Sequence, residues 1–225
     1  MEETLKEVAR RYANRDWVGT LEVLRSVDST EKNHLDLAYF LGLCHARLEH
    51  WDEALLYLEQ VVTAEVDIMR IYQCRLALAY VYALTGRYRL ADYELGRLTD
   101  TGFGSVQVFS FLGYTAWAQN KIDEAIDYYA KALELDVENG TALNGMGYLL
   151  ACEGRDGARA LTLCRKAVDK NPGNSAYLDS LAWAYYRLGF LDEARDYIHR
   201  ALVIAPQETE IREHARAISG AEALT

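Results

Sequence analysis

Apolar residues recur along much of the chain at the spacing of an amphipathic helix. One segment has them at i, i+3, i+4 and i+7, on a single helical face: Phe109, Leu112, Gly113 and Ala116. A polar break follows, centred on Asn120, a residue type that adopts the left-handed conformation ending many helices. The apolar spacing then resumes at Ala125, Ile126, Tyr129, Ala132 and Leu133. This pattern predicts two helices joined by a tight turn.

The two-helix pattern repeats along the chain. A small residue is followed twelve positions later by an alanine at Gly42 and Ala54, Ala79 and Ala91, Gly113 and Ala125, and Ala182 and Ala194; Gly147 and Ala160 are thirteen apart. Successive small residues are separated by 37, 34, 34 and 35 positions, and the two prolines, Pro172 and Pro206, by 34. Small side chains let two helix backbones approach closely, so the spacing predicts an array of helical hairpins.

These hairpins resemble the tetratricopeptide repeat, a helix-turn-helix motif of 34 residues. One segment matches its pattern at Leu181, Ala182, Tyr185, Gly189, Leu191, Ala194, Ala201 and Pro206, and another at Leu112, Gly113, Asn120, Ala125, Tyr129 and Ala132. We place the repeats at 1–34, 35–71, 72–105, 106–139, 140–174 and 175–208, with a capping helix at 209–225. The resemblance implies an all-α fold, a right-handed α-solenoid superhelix of about six repeats forming a single domain over 1–225.

Three places depart from the regular period. Extra residues near 66–71 predict a helix lengthened by almost one turn, and one extra residue near 155–157 predicts a wider turn. In the first repeat, Val8 and Thr20 stand where small residues are expected, although Trp17 and Leu24 keep its register.

Composition narrows the function classes. With 24 basic and 34 acidic side chains the net charge is −10, which argues against nucleic-acid partners and anionic membrane surfaces. Four dispersed cysteines without a C-x-x-C pair are typical of a cytoplasmic protein. Residues 1–11 lack the apolar run of a secretory signal, and removal of a leader is left open. The uncharged stretch 101–120 is polar enough to predict a buried helix and no membrane insertion.

The resemblance also implies that the first helix of each repeat lines a concave groove in which ligands bind. Helical geometry turns the residue after each small position towards that groove: Leu43, Tyr80, Tyr114, Tyr148 and Trp183. Neighbouring positions on the same face add Tyr39, Arg47, Trp117, Asn144, Asp179, Tyr186 and Arg187. Tyr and Trp are enriched in binding hot spots, but the same rings could instead pack between adjacent helices. The sequence leaves both interpretations open.

Two ligand-binding devices of the family are missing from the matching positions. A carboxylate clamp needs Lys, Asn and Arg at groove sites that here hold mainly apolar and aromatic residues. An asparagine ladder would occupy positions that hold Phe40, Ala77, Phe111, Gly145 and Ser180. We therefore expect an aromatic, comparatively apolar groove suited to an amphipathic helix or an extended apolar segment.

Candidate chemistry is sparse. The sequence has neither a glycine-rich phosphate loop nor a G-x-S-x-G turn, and His45 and His50 lack further ligands at metal-site spacing. His214 reads as isolated. We predict no enzymatic activity, no cofactor and no metal. The expected function is an interaction scaffold or adaptor for a protein or peptide partner. A chaperone-like holder of secretion or assembly subunits, an enzyme's regulatory subunit and a self-assembling structural protein remain alternatives, and homo-oligomerisation is left open.

Overall fold

Helices account for nearly all of the regular structure. The computed structural model describes residues 2–30, 33–64 and 67–220, and within them there are thirteen helices and no strand. They are α1 (Glu2–Ala13), α2 (Trp17–Arg25), α3 (His34–Arg47), α4 (Trp51–Val62), α5 (Ile68–Leu84), α6 (Tyr88–Asp100), α7 (Val106–Ala118), α8 (Ile122–Leu135), α9 (Gly140–Glu153), α10 (Gly157–Lys170), α11 (Ser175–Arg187), α12 (Leu191–Ile204) and α13 (Thr209–Gly220). The expected all-α class is confirmed.

Three-residue turns join the two helices of each hairpin. In five of the six turns the middle residue has a positive φ: Arg15 (61°), Glu49 (61°), Gly86 (72°), Asn120 (60°) and Gly189 (81°). A left-handed residue after a helix reverses the chain and supplies N–H groups to the last carbonyls. Asn120, for example, donates its N–H to the Trp117 carbonyl at 2.8 Å. The left-handed conformation expected for Asn120 is confirmed.

The turn between α9 and α10 holds the extra residue of its repeat. Gly154 is left-handed, with a φ of 65°, and stands seven positions after Gly147, as Asn120 does after Gly113. Two residues then separate Gly154 from α10, where one residue separates Asn120 from α8. The second of them, Asp156, also has a positive φ of 40°. The extra residue expected near 155–157 is therefore found in the turn, after the left-handed position.

Helix α5 is the longest, with 17 residues against 14 in α3. It begins at Ile68, and the Asp67 side chain accepts the Arg70 N–H at its N-terminus. This confirms the extra turn expected near 66–71, of which residue 66 lies outside the described part.

Small residues sit where the helices of a hairpin come closest. A Cβ added to Gly147 would lie 2.7 Å from Cys164 Sγ and 3.0 Å from its backbone nitrogen. Ala79 and Ala182, at the equivalent positions, are fully buried. Only a hydrogen atom or a methyl group fits between these helices, as the recurring Gly and Ala predicted.

Acidic pairs occupy the first turns of three second helices: Asp52 and Glu53 in α4, Asp123 and Glu124 in α8, and Asp192 and Glu193 in α12. Carboxylates there stabilise the positive end of the helix dipole. Their recurrence therefore has a structural cause.

The chain forms two compact units, unit 1 (Met1–Gly104) and unit 2 (Ser105–Thr225). One core cluster of unit 1 contains Val8, Leu21, Leu24, Leu37 and Cys44. Unit 2 has a longer cluster that includes Met146, Leu149, Leu178, Leu181 and Ile218. Its last helix, α13, packs on α12 and α11, and residues 221–225 of the expected capping helix lie outside the described part. The repeat boundaries and the assignment of 1–225 to a single domain stay predictions.

Candidate functional site

Unit 1 carries four of the residues predicted to face a groove, on α3 and α5. Tyr80 is 46% exposed, and its ring meets Trp51 edge-to-face at 6.5 Å. Tyr39 is half-buried, donates its hydroxyl proton to Gln73 Oε1 and lies under the Arg70 guanidinium, 5.4 Å from the ring centre. Burial raises the pKa of Tyr39 to about 12. On this face, Tyr80 offers the largest accessible aromatic surface.

The other two predicted residues of unit 1 differ in accessibility. Leu43 is 7% exposed and belongs to the helix-packing surface, so it contributes little to any exposed face. Arg47 is exposed and lies over the Trp17 ring at 5.9 Å, a cation–π geometry. Its position therefore depends on the first residue of α2.

Unit 2 holds the other eight predicted residues, on the consecutive first helices α7, α9 and α11. Tyr114 is 40% exposed and lies 6.3 Å from the Phe111 ring. Trp117 on α7 meets Tyr148 on α9 edge-to-face at 5.4 Å, and Trp183 lies 5.1 Å from Tyr186 on α11. These last four rings are partly exposed. Unit 2 thus presents aromatic side chains from three neighbouring helices.

The far end of this aromatic row is built into a polar cluster with α13. His214 Nδ1 lies 2.9 Å from both carboxylate oxygens of Asp179, and its ring stacks on Trp183 at 4.2 Å. The Tyr148 hydroxyl donates to Glu210 Oε1 at 2.6 Å and lies 3.3 Å from His214 Nε2. Asp179 is 4% exposed, and its burial raises its pKa, an effect that the hydrogen bond to His214 partly offsets. Burial likewise raises the pKa of Tyr148.

His214 and Glu210 were missed by the sequence analysis. The interpretation of His214 as isolated is wrong, because it is 9% exposed and contacts three of the predicted site residues. A signal was available: Ile211, His214 and Ile218 fall at i, i+3 and i+7, and all three are buried. A histidine at such a position faces the core side of its helix.

Asn144 is a polar residue beside the aromatic row. It lies one helical turn before Tyr148 on α9, and its buried Oδ1 has no hydrogen-bond partner in the described part of the chain. A buried acceptor left unpaired costs about 1–3 kcal/mol. A donor supplied from outside would remove that penalty.

His45 and His50 of unit 1 contact each other, and the His45 ring also packs on a tyrosine. His45 Nδ1 lies 3.1 Å from His50 Nδ1, and the His45 ring stacks on Tyr57 at 5.9 Å. Burial lowers the pKa of His45, which favours its neutral form. Across the described residues, no group of three or more His, Cys, Asp or Glu side chains is arranged to hold a metal ion. No helix among them is long and apolar enough to cross a bilayer.

Comparison with known proteins identifies the repeat. Two family models of the tetratricopeptide repeat match residues 112–175 and 175–208. TPR repeat-containing protein PA4667 of Pseudomonas aeruginosa is 39% identical over 77 residues, which are 34% of this chain and 13% of that protein. The chain thus matches only a small part of the relative's length.

Solved structures show the same architecture. The APC/C hetero-tetramer Cut9–Hcn1 is similar over 96% of this chain and 42% of the matched chain, with a TM-score of 0.79 and 16% identity. YrrB, described as a TPR protein with an unusual peptide-binding site, is similar over 80% of this chain and 89% of its own, with a TM-score of 0.55 and 17% identity. At these identities the likeness shows the fold alone, a solenoid of helical repeats. With its helical hairpins and its matches to the repeat models over residues 112–208, the chain carries tetratricopeptide repeats in that segment, a fold that generally mediates protein–protein interaction.

Proposed function

We propose that the protein is an interaction scaffold or adaptor that binds a protein or peptide segment along the first helices of its repeats. The observation that carries the proposal is the row of partly exposed aromatic side chains on α7, α9 and α11 of unit 2. It comprises Tyr114, Trp117, Tyr148, Trp183 and Tyr186, with Asn144 and Arg187 beside them. In unit 1 the corresponding surface is Tyr80 with Tyr39 and Arg47.

Aromatic rings on rigid helices suit this role. A ring pair contributes about 0.5–1.5 kcal/mol beyond the area that it buries, and tyrosine has few torsions to immobilise. A micromolar complex requires about 8 kcal/mol, which a few such contacts and the accompanying apolar burial can supply. The exposed ring of Tyr114 is the natural first contact in unit 2. Leu43 and Asp179 are buried, so we assign them the role of supporting the surface.

Asn144 gives this surface one hydrogen-bonding group. Its buried Oδ1 is unpaired, and a rotation of the side chain would expose it to a backbone N–H of an extended partner segment. This favours a peptide over a purely apolar ligand, because a peptide supplies donors at regular intervals along its length. The related structure described as having a peptide-binding site, and the one described as a hetero-tetramer, are consistent with this class of function.

The proposal includes no catalytic activity. It also places the protein in the cytoplasm, since its four cysteines are free thiols, as expected in a reducing compartment.

Alanine variants of the most exposed rings test the proposal. We expect Tyr80→Ala or Tyr114→Ala to weaken the recovery of a bound partner from native extract by roughly 30-fold, the loss typical of a hot-spot residue. Tyr93→Ala is the matched control, because Tyr93 is 59% exposed but lies on a second helix, α6. The same partner recovered equally with all three variants, each still helical by circular dichroism, would contradict the proposal.

A further inference from the structure

A cavity of about 120 Å³ lies in unit 2, where the turn between α9 and α10 meets the end of α11. Gly157, the first residue of α10, forms part of its wall. Arg187, one of the predicted site residues, lines it as well. The rest of the lining is apolar or small and includes Leu150, Ala151, Ala184 and Leu188.

The position of Gly157 explains why a cavity forms there. The other five second helices begin with a large apolar residue: Trp17, Trp51, Tyr88, Ile122 and Leu191. Such a side chain reaches the next first helix, as the contact between Trp51 and Tyr80 shows. In α10 the equivalent side chain is a hydrogen atom. Leu188 fills part of the space that a large apolar group takes elsewhere, because its Cδ2 would lie 2.6 Å from a Cβ added to Gly157, and the remainder is the cavity.

Arg187 places a guanidinium group beside this cavity. Arg47 and Arg187 occupy equivalent positions, each five residues after the small residue of its helix, Gly42 and Ala182. Arg47 lies over the Trp17 ring at 5.9 Å. Arg187 instead borders the cavity, and its Nη1 donates to the Cys152 carbonyl at 2.7 Å, which fixes the guanidinium.

We propose that this cavity binds one aromatic side chain of a partner segment, with the Arg187 guanidinium lying against its ring. The occupant follows from the repeat itself, because Trp17 under Arg47 shows the ring-and-guanidinium pair that the fold forms at this position. The cavity of about 120 Å³ is smaller than the dry cavity of about 150 Å³ that holds benzene in other proteins, so a ring enters only when part of the wall moves. Leu188, at 39% exposure, leans towards Gly157 and must rotate outwards to admit the ring. This inference rests on the proposed partner binding and adds a specific site to it.

Titration of the full-length protein with indole tests the site without any partner. We expect the methyl resonances of Leu150 and Leu188 to shift and to saturate at roughly millimolar indole, the range of small fragments. Gly157→Leu places in the cavity the residue with which α12 begins, and should weaken the binding at least tenfold. Gly173→Leu is the matched control, because a Cβ there meets only Asn171 Oδ1, at 3.8 Å. Arg187→Gln should weaken it about threefold, the value of an exposed cation–π contact.

Absence of methyl shifts in the wild type, or equal indole affinity in the wild type and Gly157→Leu, would overturn the proposal. If Gly157→Leu does not fold, Gly157→Ala serves the same comparison with a smaller group. Equal affinity in Arg187→Gln would refute the contact with the guanidinium. Because indole binding needs no partner, a failure here leaves the alanine variants of Tyr80 and Tyr114 as an independent test of partner binding.

Discussion

Polar side chains of unit 2 hold one another at the end of the aromatic row. Asp179 is paired with His214, and Tyr148 donates to Glu210. Since Asp179 and Tyr148 belong to first helices and the other two to α13, this cluster fixes the last helix to the surface proposed for binding. Tyr148 and Trp183 are thereby held in place with part of each ring exposed, whereas Tyr80 and Tyr114 are 46% and 40% exposed.

Removal of the Tyr148 hydroxyl should show how much the cluster contributes to the free energy of unfolding. Tyr148→Phe keeps the ring against Trp117 but loses the hydrogen bond to Glu210, so we expect the free energy of unfolding to fall by about 1–2 kcal/mol. Urea denaturation measures the change. Tyr93→Phe, at an exposed site, should change stability by less than about 0.5 kcal/mol. Equal values for the two variants would show that the cluster adds nothing to stability.

A buried thiol gives a prediction about pH. Burial raises the pKa of Cys164 from 9.0 to about 12, so the folded protein keeps this proton in a range where the unfolded chain releases it. The stability contribution is complete below pH 9 and is lost as the pH rises towards 12. Between pH 8 and pH 10 the wild type should lose roughly 1 kcal/mol more than Cys164→Ala, measured by urea denaturation at both values. An identical pH dependence in the two proteins would contradict this origin.

The sequence predicted which residues share the candidate surface but not the polar partners of those residues. Period and register predicted which residues of α7, α9 and α11 share a face, because those relations are local. Which residue meets Asp179 is a tertiary relation, since His214 is 35 positions away. Only the buried spacing of Ile211, His214 and Ile218 pointed to it.

Helical hairpins are the elements of this fold, and a close approach of two backbones defines each one. The sequence indicates this close approach, because Gly or Ala recurs at intervals near 34 residues. The extra residue near 155–157 could be placed from the sequence, because the left-handed residue keeps a fixed distance of seven positions from the small residue of its helix. Gly154 keeps that distance from Gly147, so the additional residue has to follow it in the turn.

Two glycine-to-alanine changes should have opposite effects on helix stability. Gly96 lies inside α6 with nothing within 4 Å of an added Cβ, so Gly96→Ala should stabilise by about 0.5–1 kcal/mol through its helix propensity. At Gly147 the methyl group would press on Cys164, including its backbone, and we expect a loss of about 1–3 kcal/mol. Thermal or urea unfolding of both variants gives the comparison. A stabilising Gly147→Ala would contradict the close approach of α9 and α10.

Across the whole chain, the period runs without interruption from Ala79 to Gly113, 34 residues later, and therefore predicted one domain. The structure divides into two compact units at Gly104, in the connection between α6 and α7. The assignment of 1–225 to a single domain stays a prediction. Partner binding is accordingly argued for each unit from its own exposed rings. The net charge of −10 adds that a protein partner is favoured over nucleic acid.

Site-specific photo-crosslinking measures partner contact at these rings most directly. A benzophenone amino acid would replace Tyr80 or Tyr114 on the first helices, and Tyr93 or Val203 at exposed positions of the second helices α6 and α12. On irradiation in cells, we predict the same crosslinked partner from positions 80 and 114, and none from positions 93 and 203. Crosslinks to that partner from the second-helix positions alone would contradict binding along the first helices.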